Sequence, residues 1–226
     1  MRIITDFDGP IMDLSDRYYH VYQLCLEKVK QPNQSIRVLT KDEFWTYKRA
    51  KISEQQVGIE SGLTAAQSEV FKNLRNRTAH QLQYLSLDRV VPGAIDALEQ
   101  IQASGVELIV MTLRRTSELN AAFNQSDFAR FFPPDCRYCL ADDYRKRGDI
   151  KDKTQLMAQA LTELKPEPNT WMIGDTETDI IAAQTHGIEV IGVLSGIRDL
   201  ERLTQYQPDR IVSNLAEVVD FIFDHH

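Results

Sequence analysis

Residues 1–10 read MRIITDFDGP. The stretch from Arg2 to Thr5 has the length and polarity of a short buried strand, and it runs into an acid, Asp6. A second acid, Asp8, stands two positions on, so on an extended backbone both carboxylates lean the same way. Two later stretches repeat the design: an apolar run, then polar residues. Residues 107–112, ELIVMT, predict a buried strand with Thr112 at its tip. Residues 170–179, TWMIGDTETD, predict another, with Asp175 and Asp179 four apart at the start of a helix and so on one face.

Working outward from these strands, segments of the two periods alternate from Val90 onward. Pro92-Gly93 opens a helix with Ile95, Leu98 and Ile101 on its face, ended near Gly105. A helix follows over 116–124, then a short strand at Arg137–Leu140. Leu156, Met157, Ala160, Leu161 and Leu164 mark a helix before Pro166. Ile180, Ile181 and Ala183 mark the next, closed by Gly187. Strands at Glu189–Val193 and Asp209–Val212 follow, and Asn214 with Glu217 resembles a capping pair for the last helix. Repeated βα units predict an α/β, Rossmann-like fold: a mostly parallel sheet flanked by helices. Residues 14–85 carry helical patterning and no strand-like run. Tyr18, Val21, Tyr22, Cys25 and Val29 share one face; Trp45, Lys48, Arg49 and Ile52 suggest a helix after the Thr40 cap. Gln67–Tyr84 suggests one long helix or two short ones with Val70, Leu74 and Leu82 as apolar marks, while Pro32, Gly58 and Gly62 punctuate turns. The expected organisation is an α/β core of residues 1–13 and 86–226 and an inserted small helical domain of residues 14–85.

Composition narrows the function. The 226 residues carry 26 Lys and Arg against 33 Asp and Glu, a formal charge of −7. An acidic chain is a poor general ligand for nucleic acid, which demands clustered cations. No apolar run approaches a membrane span; the longest, Leu108–Met111, is strand-sized. The first acid comes too early for a secretory leader. Three cysteines are an odd count, which points to a reducing compartment and a cytoplasmic protein. Cys136 and Cys139 form a C-x-x-C without further zinc ligands nearby, and packing is their expected role. Asp142 and Asp143 fall in a polar loop and are expected at the surface. His225 and His226 end the sequence and are not counted among the candidate site residues.

In open α/β sheets ligands bind beyond the carboxyl ends of the strands. There this sequence collects Asp6, Asp8, Thr112, a lysine (Lys151 or Lys153) and Asp175 with Asp179. Four carboxylates repel one another unless a cation neutralises them, and oxygen ligands without His or Cys suit a hard ion, Mg²⁺ when phosphate is present. A hydroxyl and an ammonium can bind the phosphate. One carboxylate can then attack phosphorus, while a second protonates the leaving oxygen and later activates water. Each element alone has a blander meaning. D-x-D-G can be a solvated turn, Asp175 and Asp179 can complement a helix dipole, Thr112 can end a strand, and Lys153 can be a surface charge. Their ordered occurrence at four strand ends is what argues for chemistry.

D-x-D-G at 6–9, the strand ending in Thr112, the lysine opening K-T-Q-L-M-A-Q-A-L, and I-G-D-T-E-T-D-I at 173–180 resemble the four motifs of the haloacid dehalogenase-like (HAD) hydrolase superfamily. The insertion after the first motif resembles the helical cap of its phosphoglycolate phosphatase-like and β-phosphoglucomutase-like branch. The resemblance implies a Rossmann-like core under a mobile cap, with Asp6 as nucleophile and Mg²⁺ ligand. It implies that Asp8 is the general acid/base and also a metal ligand through its backbone carbonyl. Thr112 would bind the transferring phosphoryl and Lys153 steady it, with Lys151 the fallback. Asp175 would be a direct carboxylate ligand of Mg²⁺, and Asp179 an outer or water-mediated one. The sequence departs from the pattern at Pro10, where the family usually has Thr, and in Ile11-Met12-Asp13.

The activity implied is a Mg²⁺-dependent phosphatase acting on a small phosphorylated metabolite through an aspartyl phosphate. By family analogy the ester is phosphoglycolate-like, and the protein is a monomer or homodimer that engages no nucleic acid and no membrane. The alternatives are phosphoglucomutase-like intramolecular transfer, a non-enzymatic phospho-acceptor, and a degenerate binding module if Pro10 disables the first loop. Asp8 and Asp175 argue against dehalogenation, whose enzymes lack the second acid of the first motif. Lys48, Arg49 and Lys51 could meet a leaving group, although a basic run on a helix is ordinarily a solvated face. Trp45 and the Tyr18, Tyr19 and Tyr22 cluster are expected to pack the core of the helical insertion.

Overall fold

A computed structural model describes residues 1–224; His225 and His226 lie outside the described residues. In chain order, β1 (Arg2–Thr5) and β2 (Met12–Asp13) precede α1 (Ser15–Val29), α2 (Lys41–Arg49), α3 (Glu54–Glu60) and α4 (Ala65–Thr78). A 3₁₀ turn at Leu82–Leu87 leads to β3 (Arg89–Val90). Then come α5 (Ala94–Ala103), β4 (Glu107–Arg115), α6 (Thr116–Gln125), β5 (Arg137–Leu140), α7 (Asp149–Glu163) and β6 (Thr170–Gly174). α8 (Glu177–Thr185), β7 (Glu189–Val193), α9 (Leu200–Thr204), β8 (Arg210–Val212) and α10 (Leu215–Asp224) complete the chain. No helix among the described residues is long and apolar enough to cross a membrane.

The chain divides into two units, residues 1–13 with 90–226, and residues 14–89. The first holds a six-stranded sheet of order β5-β4-β1-β6-β7-β8 in which every pair is parallel. This is the α/β, Rossmann-like architecture expected from the alternating periods. All four residues of β1 and all five of β6 are buried, as both faces of a parallel sheet must be when helices cover them. One core cluster joins Ile4, Ile109 and Met172 of the strands to Met157, Ala160 and Ile180 of the helices. Because β1 lies between β4 and β6, the chain reverses its direction of travel there, and the tips of three strands meet at the place where open sheets bind ligands.

The second unit is a small helical body. Its core contains Val21, Tyr22, Cys25, Phe44, Val57 and Phe71, with Tyr18, Tyr19 and Trp45 packed partly against it. The Tyr22 hydroxyl accepts from Leu39 N at 2.9 Å and shares a 2.9 Å hydrogen bond with Ser61 Oγ. Thr40 with Glu43, and Thr64 with Gln67, form reciprocal capping boxes that start α2 and α4. The unit extends past residue 85 because Asp88 is held there, its carboxylate 2.8 Å from the Arg17 guanidinium, both groups buried.

Three local expectations change. Gly58 is not a turn but the interior of α3: a β-carbon there would sit 2.9 Å from Ser68 Oγ, so the residue is small because α4 passes close. Val70 and Leu82 are exposed, and the inward face of α4 is Ser68, Phe71, Arg75 and Thr78. Phe71 sets that face, since its ring outweighs Val70 in apolar area. Finally, β4 does not stop at Thr112. It runs on to Arg115, with its register against β5 shifting between Met111 and Arg115, so Thr112, Leu113 and Arg114 lie in an irregular, bulged stretch.

Candidate active site

Asp6 follows the central strand while its N–H still donates to Ile173 O at 2.8 Å, which fixes the residue at the sheet edge. Asp6 Oδ1 accepts from Phe7 N at 2.6 Å. Asp6 Oδ2 lies 3.0 Å from Lys153 Nζ. That ammonium is buried in the first turns of α7, donates to Met111 O at 2.7 Å, and stands 2.8 Å from Asp179 Oδ1. One cation thus ties together the end of β1, β4 and the first turn of α8. Lys151, two residues earlier, is exposed on α7 and takes no part.

Asp179 is a helix-capping residue as well as a member of this cluster. Its Oδ2 accepts from Thr176 N at 3.2 Å and from Thr176 Oγ1 at 2.8 Å, while Thr176 caps α8. With both oxygens engaged, Asp179 suits an outer position around an ion. Asp175 is placed differently. Its Oδ2 accepts from Ile197 N at 2.6 Å, and Oδ1 meets no donor among the described residues. Its carboxylate sits between two glycines: a β-carbon on Gly9 would lie 2.3 Å, and one on Gly196 2.0 Å, from its nearest atoms. Gly9 also has φ +93°, which an L side chain rarely adopts. Ser195 Oγ donates to Gly9 O at 2.8 Å, tying the 195–197 turn to the first loop.

Asp6, Asp175 and Asp179 each offer an oxygen within 4.8 Å of the others. Three carboxylates against one ammonium leave net negative charge in a largely buried place. Burial, chiefly, with Asp179 adding to it, pushes the Asp175 carboxyl up to about 7. Burial also raises Asp6 well above the usual carboxylate range; Lys153 opposes this, and Asp179, Asp175 and Asp8 reinforce it. For Lys153, burial works against the charge, but Asp179 and Asp6 outweigh it and the ammonium is held above its ordinary range. Such a donor set, all oxygen and short of positive charge, fits a hard divalent cation.

Asp8 lies in the turn after Asp6, and its carboxylate is bound by Arg114. Arg114 Nη2 donates to Asp8 Oδ1 at 2.6 Å, and Nε donates to Oδ1 at 2.9 Å and Oδ2 at 3.1 Å. Thr112 is buried, and its hydroxyl accepts from Arg114 N at 3.2 Å. The Pro10 departure leaves this turn closed: Gly9 N donates to Met12 O at 2.8 Å and Met12 N to Phe7 O at 2.9 Å, bonds that do not call on residue 10.

All six residues singled out from the sequence therefore lie at one sheet edge. Asp6, Lys153, Asp175 and Asp179 are drawn into one cluster, and Asp8 with Thr112 is linked through Arg114. Sequence reasoning missed Arg114, Gly196 and the Ile197 amide. The signal for Arg114 was its spacing of two from Thr112. Of the remaining residues, Cys136 packs against the core and Cys139 is half-buried near Thr116; both thiols are free. Asp142 is exposed and caps α6 through Ser117 N at 3.0 Å. Lys48 is paired with Glu54, which also binds Arg75.

Comparison with known proteins is consistent with this geometry. The model of the family described as "HAD-hyrolase-like" matches residues 151–218, the stretch that carries Lys153, Asp175 and Asp179. Pyrophosphatase PpaX of Oceanobacillus iheyensis is 23% identical over 133 residues, 59% of this chain and 60% of that protein. Phosphoglycolate phosphatase 1 of Pseudomonas aeruginosa is 20% identical over 134 residues, 59% of this chain and 47% of that protein. The chain thus matches about half to three-fifths of the length of these relatives. A haloacid dehalogenase-like family hydrolase from Streptococcus pneumoniae superposes with a TM-score of 0.70 at 21% identity, covering 98% of this chain and 97% of that one. Motif order, sheet topology and these similarities agree in their direction: the chain resembles the haloacid dehalogenase-like hydrolases, and among its relatives those of the phosphoglycolate phosphatase-like branch.

Proposed function

We propose that the protein is a Mg²⁺-dependent phosphatase that hydrolyses a small phosphomonoester through an aspartyl phosphate on Asp6. The observation that carries this reading is the buried Lys153 ammonium held between Asp6 and Asp179 with Asp175 alongside. A carboxylate can approach a phosphate dianion only where positive charge offsets the repulsion, and here a fixed ammonium already touches the nucleophilic group. Asp6, Asp175 and the Asp8 carbonyl would hold Mg²⁺, with Asp179 outside them; the ion would add charge against the phosphoryl oxygens.

The steps then follow from the chain's own groups. An Asp6 oxygen bonds to phosphorus as the ester P–O bond breaks, and the leaving oxygen takes a proton from Asp8. Water next attacks phosphorus, gives its proton to Asp8, and the Asp6–phosphorus bond breaks to release inorganic phosphate. Thr112, whose hydroxyl already accepts from Arg114 N, keeps its own proton for a phosphoryl oxygen. The helical unit is assigned the part of a cap from its insertion after the first motif and from the family resemblance. Both PpaX and phosphoglycolate phosphatase 1 carry phosphatase names, which supports a small anionic phosphate as the substrate class. A cytoplasmic setting, where such metabolites occur, agrees with three free cysteines.

Phosphate release from a panel of sugar, carboxylate and nucleoside monophosphates, with Mg²⁺ and with excess chelator, tests the reading. Release from at least one ester that chelator abolishes is the expected result. Absence of release across the panel, or release unaffected by chelator, contradicts it.

A further inference from the structure

Arg114 is a buried cation that none of the roles above employs. Its side chain is 4% exposed, whereas the Asp8 carboxylate it grips is 26% exposed, so the guanidinium lies behind and the carboxylate in front. The guanidinium also stacks 5.1 Å from the centre of the Phe7 ring. Fork-like pairing to both oxygens defines the plane of a carboxylate as well as its place, which a point charge cannot do. The same residue's N–H donates to the Thr112 hydroxyl. Both contacts originate in the bulged stretch of β4, and bulges re-aim side chains near sites.

We propose that Arg114 is a positioning residue: its guanidinium sets the Asp8 carboxylate, and its main-chain N–H sets the Thr112 hydroxyl, so that one irregular stretch of β4 aligns the proton donor with the phosphoryl contact. The proposal rests on the reading of Asp8 as the group that exchanges a proton with the leaving oxygen. Arg114 touches neither the ester nor the phosphoryl group. It acts through Asp8, whose freedom to swing away from the leaving oxygen it removes.

The dependence on the leaving group separates this role from a merely structural one. Para-nitrophenolate departs without a proton, whereas an alkoxide needs one. The first-turnover release of the leaving group is measured by rapid quench for para-nitrophenyl phosphate and for an alkyl phosphate from the panel, in the parent, Arg114→Met, Arg114→Lys, Asp8→Asn and the Arg114→Met/Asp8→Asn pair. The expected loss in Arg114→Met is roughly 10–100-fold on the alkyl ester and under about threefold on the aryl ester, with KM nearly constant. Arg114→Lys recovers part of the alkyl rate. In the Asp8→Asn background Arg114→Met adds less than about twofold, the non-additivity of two groups acting as one. Mg²⁺ affinity by calorimetry stays within about threefold of the parent, since Arg114 is not a ligand in this reading.

Equal losses on both esters, or full additivity with Asp8→Asn, overturn the assignment while the phosphatase reading stands. A parent that releases phosphate from neither ester overturns both. Should Arg114→Met fail to fold by circular dichroism, Arg114→Lys decides in its place: a selective alkyl loss supports the assignment and a uniform one overturns it.

Discussion

Lys153 Nζ stands 2.8 Å from Asp179 Oδ1, and both side chains are fully buried. Removing one partner of such a pair leaves a charge without water or counter-charge, which costs about 3–5 kcal/mol. Lys153→Met is expected to lose stability on that scale in metal-free buffer, measured by urea unfolding. Lys153→Met/Asp179→Asn is expected to recover part of it. A loss below about 1 kcal/mol for the single variant would show that solvent reaches the pair.

Gly196→Ala tests how Asp175 is held. The glycine has no unusual backbone angle, so the only obstacle to alanine is the new β-carbon, 2.0 Å from Asp175 Oδ2. The carboxylate must move, and with it the bond from Ile197 N. Displacing such a supporting contact costs roughly 10–100-fold in metal affinity. Calorimetric titration with Mg²⁺ is expected to show a loss of that order, with unfolding still cooperative. Unchanged affinity would mean that Asp175 is not a ligand.

A pH dependence follows from the Asp175 carboxyl at about 7 and the elevated Asp6 carboxyl. Both are raised by burial in the fold above their unfolded values, so the metal-free native state binds more protons than the unfolded chain as pH climbs from the ordinary carboxylate range toward neutrality. Their contribution to stability therefore falls with rising pH through that window. A divalent ion replaces those protons and reverses the loss. Thermal melts are expected to show a larger Mg²⁺-induced rise in Tm near pH 8 than near pH 5.5. Equal rises at both pH values would contradict the placement of these carboxylates around the ion.

The helical unit offers a test independent of the site. Tyr22→Phe removes the acceptor for Leu39 N and the partner of Ser61 Oγ, both buried. Leaving a buried donor without a partner costs about 1–3 kcal/mol. The expected readout is a stability loss in that range with Mg²⁺ affinity unchanged.

Much of the candidate site was legible because ligand-binding side chains in an open parallel sheet lie beyond strand ends, where a hydrophobic run gives way to an acid. Asp6 and Asp175 are such stops, whereas Thr112 lies inside β4, in its irregular stretch. The sequence favours Lys153 over Lys151 as the residue expected to open the helix; α7 instead begins at Asp149, and what separates the two lysines is that the structure buries Lys153 and exposes Lys151. Arg114 was illegible for a physical reason. With the strand read as ending at Thr112, the spacing of two that puts Arg114 with Thr112 carries no meaning; it acquires one only because β4 runs on to Arg115, where Arg114 is buried against Asp8. Gly58 misled in the opposite sense. A glycine reads as a turn, whereas here it makes room for Ser68 and Phe71 inside a helix.

The central claim is that Asp6 carries the phosphoryl group. A radiolabelled phosphomonoester taken from the release panel, quenched in acid within the first turnover, is expected to label the parent in the presence of Mg²⁺ with a bond that hydroxylamine cleaves, as an acyl phosphate requires. Asp6→Asn, which keeps the shape and loses the nucleophile, is expected to show no label and no turnover. Full turnover by Asp6→Asn, or a label on the parent that resists hydroxylamine, would contradict the claim.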